Sequence, residues 1–347
     1  MRRLIAVAAL ALPVVVVIAA PAGACGGLVG ENGTIELVRT TTLAAYTGGV
    51  ERYVTAFEFT GEGEEVGSIV PLPDVPSEVT RAGDWTLQRL ALEVAPPAPE
   101  ASSDDDGADE AAGAVEVILE AEIDALDITV IKGGGDAVGE WALDNGFLLT
   151  PDAPEVLDYY AERSPVFMAA RFDAQRAADL GQGAGDSTPI MATIPTDDPW
   201  VPVHILSLGL DGARAVEADV FLLTDDEPAL LAGGTGLTLD RSERASDLLL
   251  DDLRSDVSMD WVPEDMWLSY LTLEAPAAEL DYDLAVSTRP GVTPSLVDAG
   301  VPAADAVPIV PGRRTATWPV VAALAAGAGV LVVGVARRQS DRRPLVP

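Results

Sequence analysis

Two long stretches without a charged residue stand at the ends of this 347-residue chain and limit what can fold between them. The first, Leu4 to Ala20, follows Met1-Arg2-Arg3 and precedes an A-x-A pattern at Ala22-Gly23-Ala24. A basic start, an apolar stretch and small residues in this order are typical of a secretory signal. The pattern predicts a signal peptide over residues 1–24, cut before Cys25. An uncleaved anchor is the alternative, because the apolar stretch is long.

The second stretch, Trp318 to Ala336, has 19 residues and no charge, which is about enough to cross a bilayer as a helix. Four arginines follow it at positions 337, 338, 342 and 343. Because basic residues stay on the cytoplasmic side, the tail at 337–347 is expected inside the cell. The sequence therefore predicts one transmembrane helix over 317–336. It places the protein in the cell membrane as a single-pass protein whose main domain is extracytoplasmic.

Cys25 is the only cysteine of the chain and directly follows the predicted cleavage site. A bacterial lipoprotein carries its lipid on a cysteine at this position, so lipidation of Cys25 is one interpretation. Lipoprotein signals prefer Leu, Val or Ile three residues earlier, where this chain has Ala22. Ordinary cleavage at the same bond is the other interpretation. A single cysteine allows no internal disulfide, so a hydrophobic core must stabilise the exported domain.

The chain has a formal net charge of −35 at pH 7, and six of its 21 basic residues lie at the two ends. The exported part is therefore strongly acidic and repels nucleic acid, whose binding needs a basic surface. We expect the membrane and an unknown envelope protein or polymer as partners, and no nucleic acid.

His204 is the only histidine, so zinc sites built from histidine and cysteine are excluded by count. No cofactor is predicted.

Period-two alternation marks several strands, such as the one that places Tyr53, Thr55 and Phe57 on one face. Strand patterns outnumber helical ones and come in consecutive runs, which favours α+β over regular βαβ units. The sequence predicts an α+β domain over 25–297, mainly antiparallel sheet with a few helices, then a Pro/Ala-rich stalk over 298–316.

Individual elements are predicted from local signals. Asp84 is expected to cap a helix, and Ser242 is expected to open another in "SERASDLLLDDLR". Alternation in "VPVHILSLGL" predicts a strand that carries His204. "VEVILEAEI" and "LDITVIKGGG" are expected to pair as strands. A short helix is expected to follow them in sequence and to stop at Asn145-Gly146.

Residues 95–114 contain many acidic residues and no apolar periodicity, which predicts a disordered acidic loop. Its carboxylates are an alternative, weak calcium site. They lack the alternate-residue spacing of an EF-hand loop, so a solvated loop is the preferred interpretation.

No catalytic constellation is present in the sequence. There is no G-x-S-x-G and no S-x-x-K, and a Ser-His-Asp triad would have to use His204. Two carboxylates at a suitable separation could hydrolyse a glycosidic bond, but no acidic pair can be singled out. An enzyme is therefore not favoured, and no catalytic, cofactor or metal residues are named.

The leading hypothesis is an envelope interaction or binding module. A carboxylate-dependent envelope hydrolase and an acidic cation-binding surface protein are the alternatives.

Three segments resemble a known bacterial family: "ACGG" after the signal, "AFEFTGEGEEVGSIVPLPDVP", and "WALDNGFLLTPDAPEVLDYYAERSPVFMAARFD". The chain is similar over roughly residues 24–290 to the exported proteins of domain of unknown function 2330 (DUF2330). Trp141, Asn145-Gly146, Leu157 and Tyr160 belong to the most specific part. The resemblance implies a signal, an Ala-Cys-Gly-Gly start and often a C-terminal membrane helix. It implies no activity. Many members carry a second cysteine where this chain has Gly27-Leu28-Val29.

Overall fold

A computed structural model describes residues 27–30, 40–58, 65–94, 116–147, 149–182, 187–301 and 310–311. The architecture of these residues is α+β, with mostly antiparallel sheets and few helices. Cys25, the predicted signal at 1–24, the acidic loop at 95–114 and the apolar stretch at 317–336 lie outside the described residues.

The largest sheet has eight strands. Their spatial order is β16 (Val310–Pro311), β13 (Leu237–Arg244), β14 (Trp267–Pro276), β11 (Ala215–Thr224), β2 (Thr40–Thr47), β3 (Val50–Glu58), β9 (Ser187–Pro195) and β5 (Glu78–Arg81). β2 pairs with β11 and β13 with β16 in parallel, and the other neighbours are antiparallel. Gly48 and Gly49 join β2 to β3 with φ of 60° and 79°, a tight hairpin turn that favours glycine at both positions.

Two smaller sheets accompany it. The five-stranded sheet has the order β1 (Gly27–Gly30), β4 (Glu65–Pro71), β8 (Val166–Asp173), β7 (Leu126–Lys132) and β6 (Glu116–Ile123). The three-stranded sheet has the order β10 (Trp200–Val201), β15 (Leu284–Ser287) and β12 (Ala229–Ala232). All pairs in these two sheets are antiparallel, and the predicted pairing of β6 with β7 is confirmed.

The described residues contain five α-helices: α1 (Thr86–Val94), α2 (Gly135–Asp144), α3 (Ala153–Arg163), α4 (Ala174–Leu180) and α5 (Asp247–Ser255). The predicted stop of α2 at Asn145-Gly146 is confirmed, and Gly146 has φ of 83°. Among the described helices, none combines the length and apolar character that a membrane crossing requires.

The eight-stranded sheet separates two hydrophobic cores, because alternate side chains of its strands point to opposite faces. Tyr53 and Leu222 belong to the larger core, which also contains residues of the five-stranded sheet and of α2 and α3. Val54 and Phe221, their direct neighbours in sequence, belong to the smaller core beneath α1 and α5. The larger core contains the candidate site described below.

Local signals misplaced three features. The predicted strand through His204 is wrong beyond β10, because a 3₁₀ helix covers His204–Ser207. Ser242 lies in β13, opposite Ser269 of β14, and the cap of α5 is Ser246, whose hydroxyl accepts a hydrogen bond from the Leu249 amide.

The third feature is the start of α1. The predicted cap, Asp84, binds the side chain of Arg81 instead. The carboxylate of Asp256 accepts hydrogen bonds from the amides of Asp84 (3.1 Å) and Trp85 (3.0 Å) and from the hydroxyl of Thr86 (2.8 Å). The end of α5 therefore caps the start of α1.

Candidate functional site: a buried carboxylate network

Asp283 is fully buried just before β15 and receives three side-chain donors from the last turns of α3. The hydroxyl of Tyr160 donates to Oδ1 at 2.8 Å, and that of Tyr159 donates to Oδ2 at 3.4 Å. The guanidinium of Arg163 forms an ion pair with Oδ2 at 2.5 Å, and its side chain is only 15% exposed. The helical spacing of these three residues places them on one side of α3.

The same carboxylate binds the backbone of the 3₁₀ helix. The amides of Val203 and His204 donate to Oδ1 at 2.7 Å and 3.3 Å. The hydroxyl of Tyr160 in turn accepts from the amide of Ile205 at 2.9 Å. Pro202 has no amide to continue the β10 ladder, and three consecutive amides are satisfied by the buried network instead. This accounts for the turn where alternation predicted a strand.

Aromatic rings surround the network. The ring of Trp200 stacks on that of Tyr160, with centroids 5.7 Å apart and 15° between the planes. The guanidinium of Arg163 lies 4.1 Å from the centroid of Trp200, a cation–π contact. Tyr159 meets His204 edge to face at 4.5 Å.

The network also holds the segment around residue 299. The amide of Asp283 donates to the carbonyl of Ala299 at 3.0 Å, and Arg163 donates to the carbonyl of Asp298. Gly300 has φ of 77° and lies so close to the Tyr159 ring that a Cβ would collide with it. A glycine is therefore needed there for both reasons.

Burial fixes the protonation states of the network. Burial, followed by the charge of Asp283, raises the pKa of Tyr160 and of Tyr159, so both remain phenols. Burial lowers the pKa of His204 against the opposing effect of nearby carboxylates, Asp283 first among them. His204 is therefore neutral at pH 7, and its Nδ1 is buried without a hydrogen-bond partner. The charges of the network are those of Asp283 and Arg163.

A second buried carboxyl lies close to Trp200. Glu51 of β3 is 0% exposed, and neither of its side-chain oxygens has a hydrogen-bond partner. Burial raises the pKa of Glu51 to about 8, against the opposing effect of the nearby backbone N–H of Trp200. This N–H does not form a normal hydrogen bond with the carboxyl. We therefore describe Glu51 as a neutral acid at pH 7.

Neither carboxyl can contact a substrate in this structure, because both are 0% exposed. The five donors of Asp283 fill its acceptor capacity and connect α3 with the 3₁₀ helix. The amide of Asp283 and the side chain of Arg163 add the segment around Ala299. The arrangement acts as an internal brace. Within the described residues no group of three or more His, Cys, Asp or Glu side chains could hold a metal ion.

Cys25, the one modification site predicted from the sequence, lies outside the described residues. His204, predicted in a strand, lies instead in the network through its backbone amide and its ring. No motif distinguishes Asp283 and Glu51 among the 56 acidic residues, and none points to Arg163. Tyr160 was singled out only through the family resemblance.

Comparison with known proteins gives a family and no activity. The sequence model of DUF2330, described as an uncharacterized protein conserved in bacteria, matches residues 19–225. No curated protein matches the chain. The crystal structure of baculovirus P35 is 9% identical with a TM-score of 0.40, covering 76% of this chain and 99% of that chain. A mutated baculovirus P35 after caspase cleavage is 8% identical with a TM-score of 0.37, covering 73% of this chain and 99% of that chain.

Proposed function

The chain belongs to the DUF2330 family of uncharacterised bacterial proteins, and we propose that it is a membrane-anchored binding module of the cell envelope. In this proposal the signal at 1–24 exports the main domain and the apolar stretch at 317–336 anchors it. The acidic surface of the domain then meets a basic envelope protein or polymer.

One observation carries the proposal. The carboxyls with the environments most suited to acid–base chemistry, Glu51 and Asp283, are both sealed in the interior. Glycoside hydrolysis needs two carboxyls about 5–10 Å apart on either side of a bound sugar, and neither of these can reach one. The groups that remain accessible are surface charges, which suit recognition through complementary potential.

The composition provides a direct test. The chain has a single lysine, Lys132, which is exposed at the end of β7. A carbodiimide joins carboxylates to amines, so in isolated envelopes it couples this acidic surface to lysines of a bound partner and hardly to itself. Lys132→Arg keeps the charge and removes the only lysine through which the chain could couple to itself, which makes it the matched control.

We expect a discrete adduct, recovered through a tag on the 337–347 tail and unchanged in Lys132→Arg. Because surface charges are screened within about 10 Å at ~0.1 M salt and about 3 Å at ~1 M, the adduct should fade between these two concentrations. Absence of any adduct at the lower concentration contradicts the proposal, as does an adduct that high salt leaves unchanged.

A further inference from the structure

Three arginines in the described residues lie over tryptophan rings, and two of them also bind carboxylates. Arg163, over Trp200, pairs with Asp283 at 2.5 Å. Arg244 lies 5.6 Å from the centroid of Trp267 and pairs with Asp226 (2.8 Å) and Asp265 (3.2 Å). These pairs use the guanidinium for a carboxylate and the ring at the same time.

The third pair differs. The guanidinium of Arg52, on β3, lies 4.5 Å from the centroid of Trp261 and has no ion pair or hydrogen bond of its side chain among the described residues. Trp261 Nε1 is buried and likewise has no acceptor. A buried donor without an acceptor is less favourable than the same group in water. Two unpaired donor groups therefore lie side by side in a chain rich in carboxylates.

The backbone next to this pair is held in an unusual conformation. Ser258, three residues before Trp261, has φ of 60°, which is uncommon for a residue with a side chain. The turn is fixed on both sides: Met259 and Val262 are buried in the smaller core, and Arg254 donates to the carbonyl of Val262 at 3.0 Å. Trp261 is thus presented to Arg52 by a rigid, locally strained turn, a feature that is common at functional sites.

We propose that Arg52 and Trp261 form a binding site for an oxyanion, the carboxylate or phosphate group of a partner molecule. The planar guanidinium matches both groups with two parallel hydrogen bonds. The guanidinium makes the contact with the oxyanion, because Trp261 Nε1 is buried, and the indole signal reports on binding through the adjacent ring. This site is independent of the proposed membrane anchoring and of the basic partner.

The acidic surface does not prevent such binding. Burial alone lowers the pKa of Arg52, with no contribution from a carboxylate. Arg81 differs, because its pKa is raised: its ion pairs with Asp124 and Asp84 more than offset the lowering effect of burial. No described carboxylate thus lies close enough to Arg52 to compete for it, and more distant charges are screened beyond about 8 Å at physiological salt.

The test follows the indole N–H signals of the six tryptophans by NMR in the full chain, held in a nonionic detergent. Acetate and inorganic phosphate are the probes, each added at constant ionic strength against chloride. Trp261→Phe assigns the signal of Trp261. We expect this signal to shift and saturate with a Kd of ~1–10 mM.

Arg52→Gln should weaken binding at least about tenfold, and Arg52→Lys should fall between, because lysine keeps the charge and loses the planar fork. Arg244→Gln is the matched control and should leave the Trp261 titration unchanged. Saturation by acetate alone assigns a carboxylate, by phosphate alone a phosphate, and by both a general oxyanion. The proposal is overturned if neither probe moves the signal, if the shift survives in Arg52→Gln, or if the Trp267 signal moves in parallel.

Discussion

The carboxylate of Asp283 accepts hydrogen bonds from five donors that are distant in sequence. These donors precede it by between 79 and 124 residues and come from two elements, α3 and the start of the 3₁₀ helix. A buried ion pair of this kind stabilises little compared with apolar packing, yet removal of one partner leaves the other charge buried and unpaired. The network therefore fixes the mutual position of its elements.

Asp283→Asn is expected to destabilise the protein by about 3–5 kcal/mol, because Arg163 then keeps a charge in a site that is only 15% exposed. Urea unfolding, followed by the fluorescence of the tryptophans, measures this loss. Asp198→Asn is the matched control, since Asp198 also pairs with an arginine, Arg289, but on the exposed surface. Its loss should stay within ~1 kcal/mol, and equal losses for the two variants would contradict the proposed brace.

Glu51 gives the folded protein a specific pH dependence. Burial raises its pKa to about 8 from the ordinary value of 4.5, so near pH 7 the folded state holds a proton that the unfolded state has lost. The contribution of Glu51 to the free energy of unfolding is complete below the pKa that Glu51 has in the unfolded chain. It falls as pH rises toward 8, by at most ~1.4 kcal/mol per pH unit. Glu51→Gln should remove this slope.

The measurement is urea unfolding at about pH 6.8 and about pH 7.8. His204 adds a small slope of the opposite sign, because burial lowers its pKa and the unfolded side chain still loses its proton in this range. This contribution is the same in wild type and in Glu51→Gln, so the comparison of the two slopes isolates Glu51. Glu78→Gln, on the exposed edge of the same sheet, is the control and should keep the wild-type slope. An unchanged slope in Glu51→Gln would show that Glu51 is ionised in the folded state.

At the scale of elements, patterns with a strong local cause were predicted correctly. The alternation in β3, the pairing of β6 with β7 and the glycine stop of α2 depend on residues within one element or one hairpin. The capping contacts depend on more distant residues. Any Asp or Ser near a helix start satisfies the capping rule, so sequence alone favours Asp84 over an acid 172 residues later in the chain.

This difference is measurable at α1. Asp256→Ala removes the acceptor of two amides and the Thr86 hydroxyl and should cost about 1–3 kcal/mol of unfolding free energy. Asp84→Ala removes only an exposed ion pair with Arg81 and should cost less than ~1 kcal/mol. Urea unfolding of both variants checks the order, and a larger loss for Asp84→Ala would restore the cap predicted from the sequence.

The candidate site was less predictable than the fold, because its contacts also join residues that are distant in sequence. His204 was predicted in a strand because Val203 and Ile205 flank it in an alternating pattern. What overrides that pattern is the capture of three amides by Asp283 and Tyr160. Period-two alternation places Glu51 on the same face of β3 as Tyr53, but an acid at the start of a strand is usually solvated. In the sheet Glu51 lies opposite Tyr46 and Ile194 and is fully buried.

At the scale of the whole molecule, the sequence divides its charges by position. The net charge is −35, while arginines cluster at residues 2–3 and beyond residue 336. If the proposed topology is right, the acidic domain and the basic tail lie on opposite sides of one membrane. A membrane-impermeant maleimide then distinguishes the two sides, because the chain has only one native cysteine.

Ser255→Cys places a thiol at the exposed end of α5, and Ser340→Cys places one in the predicted tail. In intact cells we expect labelling of the first variant, and of the second only after permeabilisation. Equal labelling of both in intact cells would contradict a cytoplasmic tail. Wild type sets the background and also separates the two interpretations of Cys25. If the sulfur of Cys25 is bound to a lipid as a thioether, it stays unlabelled even after denaturation. Ordinary cleavage instead leaves a reactive thiol outside the cell.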